Sequence, residues 1–212
     1  MIKAVISDFG GVVTLPLFEG FKRAHEELGV PIEALGVAMK LTAARNPEPP
    51  LWTLERGQMT EADFLAGLEA ALTEVTGTAV TLDGYGALLM GKLEPNEPLL
   101  ARYRELREAG VRLAILTNNV REWHDIWRTA FDIDALFELV VDSAFEGTRK
   151  PEPRIYELTL SRLGLAPPDC VFIDDVEVNV TAANELGLHG IHFRDTDQVL
   201  AELDAALDGA AP

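Results

Sequence analysis

Five short apolar runs, at residues 2–7, 112–116, 139–141, 170–173 and 190–193, are separated by stretches whose apolar residues recur at helical spacing. Runs this short read as strands buried on both faces rather than as helices. Strands that alternate with helices leave few options, and the favoured one is an open, mostly parallel α/β sheet. Four of the intervening faces can be named. Leu99, Leu100, Tyr103 and Leu106 share one, with Gly110 as the stop. Val120, Trp123, Ile126 and Trp127 share a second, and both tryptophans are expected in the core. Val178, Ala182, Ala183 and Leu186 form a third, ended by Gly187, and Val199, Leu200, Leu203, Ala206 and Leu207 a fourth.

One long interruption follows the first run. From about 15 to 84 the pattern is helical with no convincing strand. Thr60 and Asp63 have capping-box spacing, and Phe64, Leu65, Leu68, Leu72 and Val75 follow on one face. The prolines of 46–50 make that stretch a loop. The expected organisation is a core of 1–15 and 85–212 with a helical cap, 16–84, inserted after strand one.

Hydrophobic residues make up 48% of the 212, enough for a sizeable core, and the formal net charge is −17 with no basic cluster. A nucleic-acid partner is therefore not expected, because it needs a basic face. Any anion site must supply its own local positive charge. The single cysteine, Cys170, rules out an internal disulfide and a cysteine-rich metal site, and it reads as a small buried strand residue. No stretch is long and apolar enough to cross a membrane. The expectation is a soluble cytoplasmic protein, monomer or homodimer, acting on a small molecule.

Ligands of open α/β sheets bind beyond the carboxyl ends of the strands, and those ends carry chemistry here. The first run ends on Asp8 and the second on Thr117-Asn118-Asn119. Thr148-Arg149-Lys150-Pro151 follows the third, and the fourth ends on Asp174-Asp175 with Asn179 one helical turn on. Singly, each has an ordinary reading: Asp174-Asp175 as a helix cap, Lys150 as a surface lysine. An acid, a hydroxyl–amide pair, a base and an acid pair in this order favour a site. Asp8 and Asp175 would converge across neighbouring strands and repel unless a cation lay between them. Oxygen donors without His or Cys suit Mg²⁺. Lys150 suits a phosphate oxygen or the nucleophile's carboxylate, and Thr117 with the N–H groups after it suits phosphate oxygens. Asp8 then reads as an in-line nucleophile forming an aspartyl-phosphate.

Asp8-Phe9-Gly10-Gly11-Val12-Val13-Thr14, Leu116-Thr117-Asn118, Lys150-Pro151-Glu152-Pro153 and Phe172-Ile173-Asp174-Asp175 with Asn179 together resemble the four motifs of the haloacid dehalogenase superfamily. The resemblance is to its Mg²⁺-dependent phosphatase-like branch with a small helical cap, as in the phosphatase domain at the N-terminus of soluble epoxide hydrolases. It implies a Rossmann-like core with the cap after strand one. It implies catalytic roles for Asp8, Lys150 and Thr117. The phosphate would be held by Thr117, Asn118, Asn119 and Lys150. The metal would be held by Asp8, the Gly10 backbone carbonyl and Asp175, with Asp174 acting indirectly.

One position departs from that pattern. Phosphatases of the family usually carry Asp two residues after the nucleophile, as the proton donor and then the base. Gly10 stands there and can be neither. General acid–base help is worth about 10²–10⁴-fold. Three readings stay open: substrates with good leaving groups, such as sugar-1-phosphates or acyl phosphates; another acid from the cap or at Glu177; or a weak phosphatase whose main job is binding. Two rivals share the fold, a metal-independent 2-haloacid dehalogenase and a non-catalytic binding protein. Paired carboxylates argue against the first, since without a cation they would repel a carboxylate substrate.

The remaining motifs are weaker. Gly86 to Lys92 has phosphate-loop spacing, but Leu93 stands where a hydroxyl must meet Mg²⁺. His25, His124, His189 and His192 have no metal-ligand spacing. Glu19, Arg45, Trp52, Glu55 and Arg56 are possible substrate contacts by location in the cap.

Overall fold

The computed structural model describes residues 1–16, 18–91 and 93–209, with the backbone but not the side chains of Phe18 and Glu19. Five parallel strands form one sheet: β1 (Ala4–Ser7), β2 (Arg112–Thr117), β3 (Leu139–Asp142), β4 (Cys170–Asp174) and β5 (His189–His192), in the order β3-β2-β1-β4-β5. Each sits within two residues of the expected run. His189 and His192 are the end residues of β5.

Alternation along the strands divides the core in two. Val5, Leu113, Ile115, Val171 and Ile173 point to one face, and Ala4, Ile6, Ala114, Leu116 and Phe172 to the other. The first face is covered by α6 (Glu97–Glu108) and α12 (Thr196–Leu207), the second by α10 (Pro153–Leu163) and α11 (Glu177–Glu185). Such double coverage is what near-continuous apolar strands require. Cys170 is fully buried on β4.

The chain between β1 and α6 runs through α1 (Phe18–Leu28), α2 (Ile32–Arg45), α3 (Pro50–Glu55), α4 (Glu61–Thr76) and α5 (Tyr85–Met90). Thr60 caps α4, accepting the Asp63 N–H at 3.1 Å, and Phe64, Leu68 and Leu72 are buried as the spacing predicts. Val75, expected on that face, is 36% exposed, because the helix outruns its partner there. The outgoing and returning segments meet at a bridge between Thr14 and Pro95, with Leu15 N–H bonded to Glu94 O at 2.8 Å and Asn96 N–H to Val13 O at 2.8 Å.

Two helical faces differ from expectation. The stretch around Val120 is a 3₁₀ turn (Arg121–Trp123) followed by the short α7 (His124–Arg128). Trp127 is fully buried against Phe9, ring centroids 4.7 Å apart, whereas Trp123 is half-buried and its Nε1 donates to Glu61 at 2.7 Å. In α11 the inward residues are Asn179, Val180 and Ala183, and Val178 is 56% exposed. The Asn179 amide, bonded to Asp174 Oδ1 at 3.0 Å, fixes that rotation. Three short helices complete the chain: α8 (Ile133–Leu136), α9 (Ser143–Glu146) and the 3₁₀ turn Pro167–Asp169 before β4.

Candidate active site

β1 lies at the centre of the sheet, and its register pairs Ser7 with Ile115 on one side and Ile173 on the other. The next residue, Asp8, keeps the ladder for one more bond, from its N–H to Ile173 O at 2.8 Å. The chain then leaves the sheet in one wide turn, Phe9–Val13, closed by the Thr14 N–H on Phe9 O at 3.0 Å. Asp8 is thus held at the carboxyl end of the central strand, between the ends of β2 and β4. Beneath it, Tyr103 donates to Ser7 Oγ at 3.0 Å and Ser7 donates to Asp8 O at 2.8 Å, which pins the backbone from the core side.

Asp8, Asp174 and Asp175 each present a carboxylate oxygen, all within 4.8 Å of one another. Lys150 Nζ stands 2.7 Å from Asp8 Oδ1 and 2.7 Å from Asp174 Oδ2, on a side chain 1% exposed. It is no surface lysine. Asp174 is fully enclosed. Its Oδ2 accepts from Lys150, and its Oδ1 accepts from Val176 N–H at 2.8 Å and from Asn179. An acid so engaged anchors the lysine. Asp175 is exposed, and its carboxylate rests on Gly11: a Cβ built there would lie 2.7 Å from Oδ2. Gly11 has φ +83°, so both its backbone and its neighbour demand glycine. Gly10 is different. Its φ −73° and ψ 121° admit any residue, and its lack of a side chain is not a backbone requirement.

Three carboxylates against one ammonium leave two negative charges, which is what one divalent cation neutralises. Without it the cluster is strained electrostatically. Burial pushes the Asp8 carboxyl up to about 7; Lys150 pulls it down, and Asp174 and Asp175 add to the rise. Asp175 is raised too, by burial and then by Asp174. For Lys150 burial acts downward, but Asp174 and Asp8 outweigh it and the ammonium is held above its ordinary range. The all-oxygen donor set fits Mg²⁺.

The other expected phosphate ligands divide. Thr117 ends β2, buried, on the cavity wall. Asn118 also lines the cavity, but its side chain is spent on the Lys150 backbone: Oδ1 accepts the Lys150 N–H at 2.8 Å and Nδ2 donates to Lys150 O at 2.9 Å. Asn119 turns its Oδ1 onto the Val120 N–H at 2.9 Å. Both asparagines therefore position the loops; the Asn119 N–H is also spent, on Ser143 Oγ at 3.1 Å, which leaves the Asn118 N–H and the Thr117 hydroxyl as what the end of β2 offers a ligand. No histidine joins the carboxylates. His25 meets Tyr85, His124 meets Asp142, and His192 Nε2 lies 3.1 Å from Asp175 O.

Above the cluster lies a cavity of about 810 Å³. Asp8, Gly10 and Lys150 form its floor, and its walls are apolar: Phe21 of α1, Leu35 and Met39 of α2, Phe64 and Leu68 of α4, Leu89 of α5. Trp52, Glu55 and Arg56 line it, as their location suggested. Arg45 does not; it forms a fork with Glu74 at 2.9 Å on the surface. Glu177 is exposed at the start of α11, between the lining residues Val176 and Val178 but not itself among them. The Glu19 side chain and Lys92 lie outside the described residues.

Helix α3 and its C-cap Arg56 are clamped to the sheet side by residues that flank Lys150. Arg149 donates to Glu55 at 2.5 Å and stacks on Trp52, 5.2 Å from the ring centroid. Arg56 forks onto Glu48 at 2.8 Å and reaches Glu152 at 2.8 Å. Ser143 donates to Glu55 O at 2.6 Å. Arg149 and Glu152 are neighbours of the expected lysine in Thr148-Arg149-Lys150-Pro151-Glu152, and their charge was the available signal.

The family described as haloacid dehalogenase-like hydrolase matches residues 2–187. Acyl-CoA dehydrogenase family member 10 of Mus musculus is 31% identical over 212 residues, covering 97% of this chain and 19% of its own length. Bifunctional epoxide hydrolase 2 of Rattus norvegicus is 26% identical over 215 residues, covering 96% of this chain and 38% of its own. The chain thus spans well under half the length of either relative. A solved structure of a HAD-like family hydrolase from Porphyromonas gingivalis superposes with a TM-score of 0.72 at 24% identity, covering 98% of both chains, and shows the same fold.

Proposed function

The chain belongs to the haloacid dehalogenase-like hydrolases, and on that footing we propose that it is a Mg²⁺-dependent phosphatase working through an aspartyl-phosphate on Asp8. The observation that carries this reading is the three-carboxylate cluster around one buried ammonium, with Asp8 at its centre. Asp8, Asp175 and the Gly10 carbonyl would hold the ion, and Asp174 would act through Lys150. When bound, the ion neutralises charge on the transferring phosphoryl group.

The chain's own groups do the rest. Both hydrogen bonds to the Asp8 carboxylate, from Phe9 N–H and Lys150 Nζ at 2.7 Å each, fall on Oδ1. Oδ2 is then the oxygen free to attack. Lys150 stands beside the bond being formed and offsets the negative charge there. Thr117 and Asn118 line the same space, and we assign the phosphate to the Thr117 hydroxyl and the Asn118 N–H. The helices over the sheet, which we take as the cap at 16–84 against a core of 1–15 and 85–212, close the site from water.

A screen of phosphate esters with and without Mg²⁺, with Asp8→Asn as the control, tests the reading. Turnover that requires Mg²⁺ and vanishes in Asp8→Asn is expected. Turnover of 2-haloacids that survives EDTA would replace it with the dehalogenase alternative.

A further inference from the structure

Every acid lining the cavity is already engaged. The described lining carries four carboxylates: Asp8, Asp175, Glu55 and Glu152. Asp8 is the nucleophile and Asp175 faces the metal site. Glu55 Oε2 accepts from Arg149 Nε at 2.5 Å, an ion pair that opposes the upward push of burial on its carboxyl and ties it to the Lys150 loop. Glu152 is bound to Arg56, to the Thr148 hydroxyl at 2.8 Å and to the Arg149 N–H. The Tyr85 hydroxyl is taken by His25 at 3.3 Å. With a bare Gly10 at the floor, the described lining has no acid outside the carboxylate cluster that is free of a partner to protonate a leaving oxygen. The walls above that floor are mostly hydrocarbon and ring, with the paired charges Glu55, Arg56, Arg149 and Glu152 on one side, in a volume toward the upper end of the roughly 300–1,000 Å³ of small-molecule sites.

Resting on the reading of the preceding subsection, we propose that this site takes phosphates of apolar, weakly basic leaving groups, that is long-chain acyl or aryl phosphates, in preference to sugar phosphates or alkyl esters. Asp8 Oδ2 bonds to phosphorus as the bond from phosphorus to the leaving oxygen breaks. The electron pair stays on that oxygen, which departs as a carboxylate or phenolate without needing a proton. Water then displaces the phosphoryl group, and both of its protons end on inorganic phosphate. The leaving group of this second step is the Asp8 carboxylate, which also departs unprotonated. One site without a proton donor therefore serves both halves of the reaction. Sugar hydroxyls would find no hydrogen-bond partners on the Phe21, Leu35, Phe64 and Leu68 walls, and burying them there is costly.

Purified protein in Mg²⁺ is assayed on acyl phosphates from acetyl to decanoyl, on aryl phosphates, on alkyl phosphates of matching length, and on sugar phosphates. In parallel, methyl- to decylphosphonate binding is followed through the tryptophan emission of Trp52 and Trp123, which both line the cavity. The expected kcat/KM and phosphonate affinity rise by up to about fourfold per methylene until the cavity is full, and Met39→Asp flattens that slope. Aryl and acyl substrates lead alkyl esters of the same size by at least ~10²-fold, and Gly10→Asp narrows that lead by ~10-fold or more. Alkyl esters turned over as fast as aryl ones would overturn the leaving-group assignment while leaving the phosphatase standing. Acetyl or sugar phosphates used as well as decanoyl phosphate would overturn the apolar assignment. No turnover of any phosphate would overturn the phosphatase itself, and a flat phosphonate series would then remove the apolar ligand as well.

Discussion

Lys150 Nζ lies 2.7 Å from Asp8 Oδ1, and the same ammonium is 2.7 Å from Asp174 Oδ2. The one positive charge of the floor is shared by the proposed nucleophile and by an acid enclosed beneath it. Its removal has two separable effects. Lys150→Met leaves two enclosed carboxylates unpaired, and the metal-free protein is expected to lose about 3–5 kcal/mol of stability. Mg²⁺ should recover part of that loss, while turnover stays at least ~10²-fold below wild type because the charge beside the forming bond is gone. Denaturant unfolding with and without Mg²⁺, set beside kcat, reads both effects.

The raised Asp8 carboxyl makes metal-free stability depend on pH in a definite direction. The unfolded value is about 4 and the folded value is pushed up to about 7, chiefly by burial. Between the two, the folded protein holds a proton that the unfolded chain has released. Stability therefore falls as pH rises through that window and levels off above it. Asp175, also raised, contributes with the same sign. Unfolding midpoints in EDTA should drop from pH 5 to pH 8, less steeply in Asp8→Asn, and saturating Mg²⁺ should flatten the profile.

Gly11 bears on the metal through Asp175. Alanine there must adopt φ +83° and place its Cβ 2.7 Å from Asp175 Oδ2, so the carboxylate has to move. The strain alone costs about 1–2 kcal/mol. Displacing the ligand should raise the Mg²⁺ concentration for half-activation by roughly 10–100-fold, as losing the support of a metal ligand does. A Mg²⁺ titration of Gly11→Ala against wild type measures it, and an unchanged midpoint would exclude Asp175 as a ligand.

The Arg149–Glu55 pair should behave as a unit. Arg149→Met strands a largely buried carboxylate, with a stability loss of about 2–5 kcal/mol. Adding Glu55→Gln removes the stranded charge and should recover much of the loss. A double-mutant cycle followed by thermal unfolding checks the coupling.

The sheet was legible because its strands are buried on both faces and so read as unbroken apolar runs, and polar residues mark where each one stops. Asp8, Thr117 and Asp174-Asp175 were picked out as candidates by that rule, and Lys150 by the basic stretch that follows the third strand. What lay beyond it depends on partners far apart in sequence. Asn118 reads as a phosphate ligand until Lys150, 32 residues on, takes up its amide. Val178 reads as core until Asn179 turns inward to Asp174. The cavity walls come from five separate helices, α1 to α5, so their shared apolar chamber has no signature along the chain. Trp123 fits the same account: its spacing is helical, but its indole N–H is claimed by Glu61 of α4.

The segment bearing Lys150 is gripped on both sides by the helices that roof the chamber, through Arg149 to Glu55 and Glu152 to Arg56. Lifting the roof tears those grips first, so the door and the machinery share a latch. A chamber open for loading is consequently a slackened one. On the proposed mechanism, the loop that carries the lysine beside Asp8 is then firmest when bulk solvent is shut out, which would shield a phosphorylated intermediate until the second displacement is due.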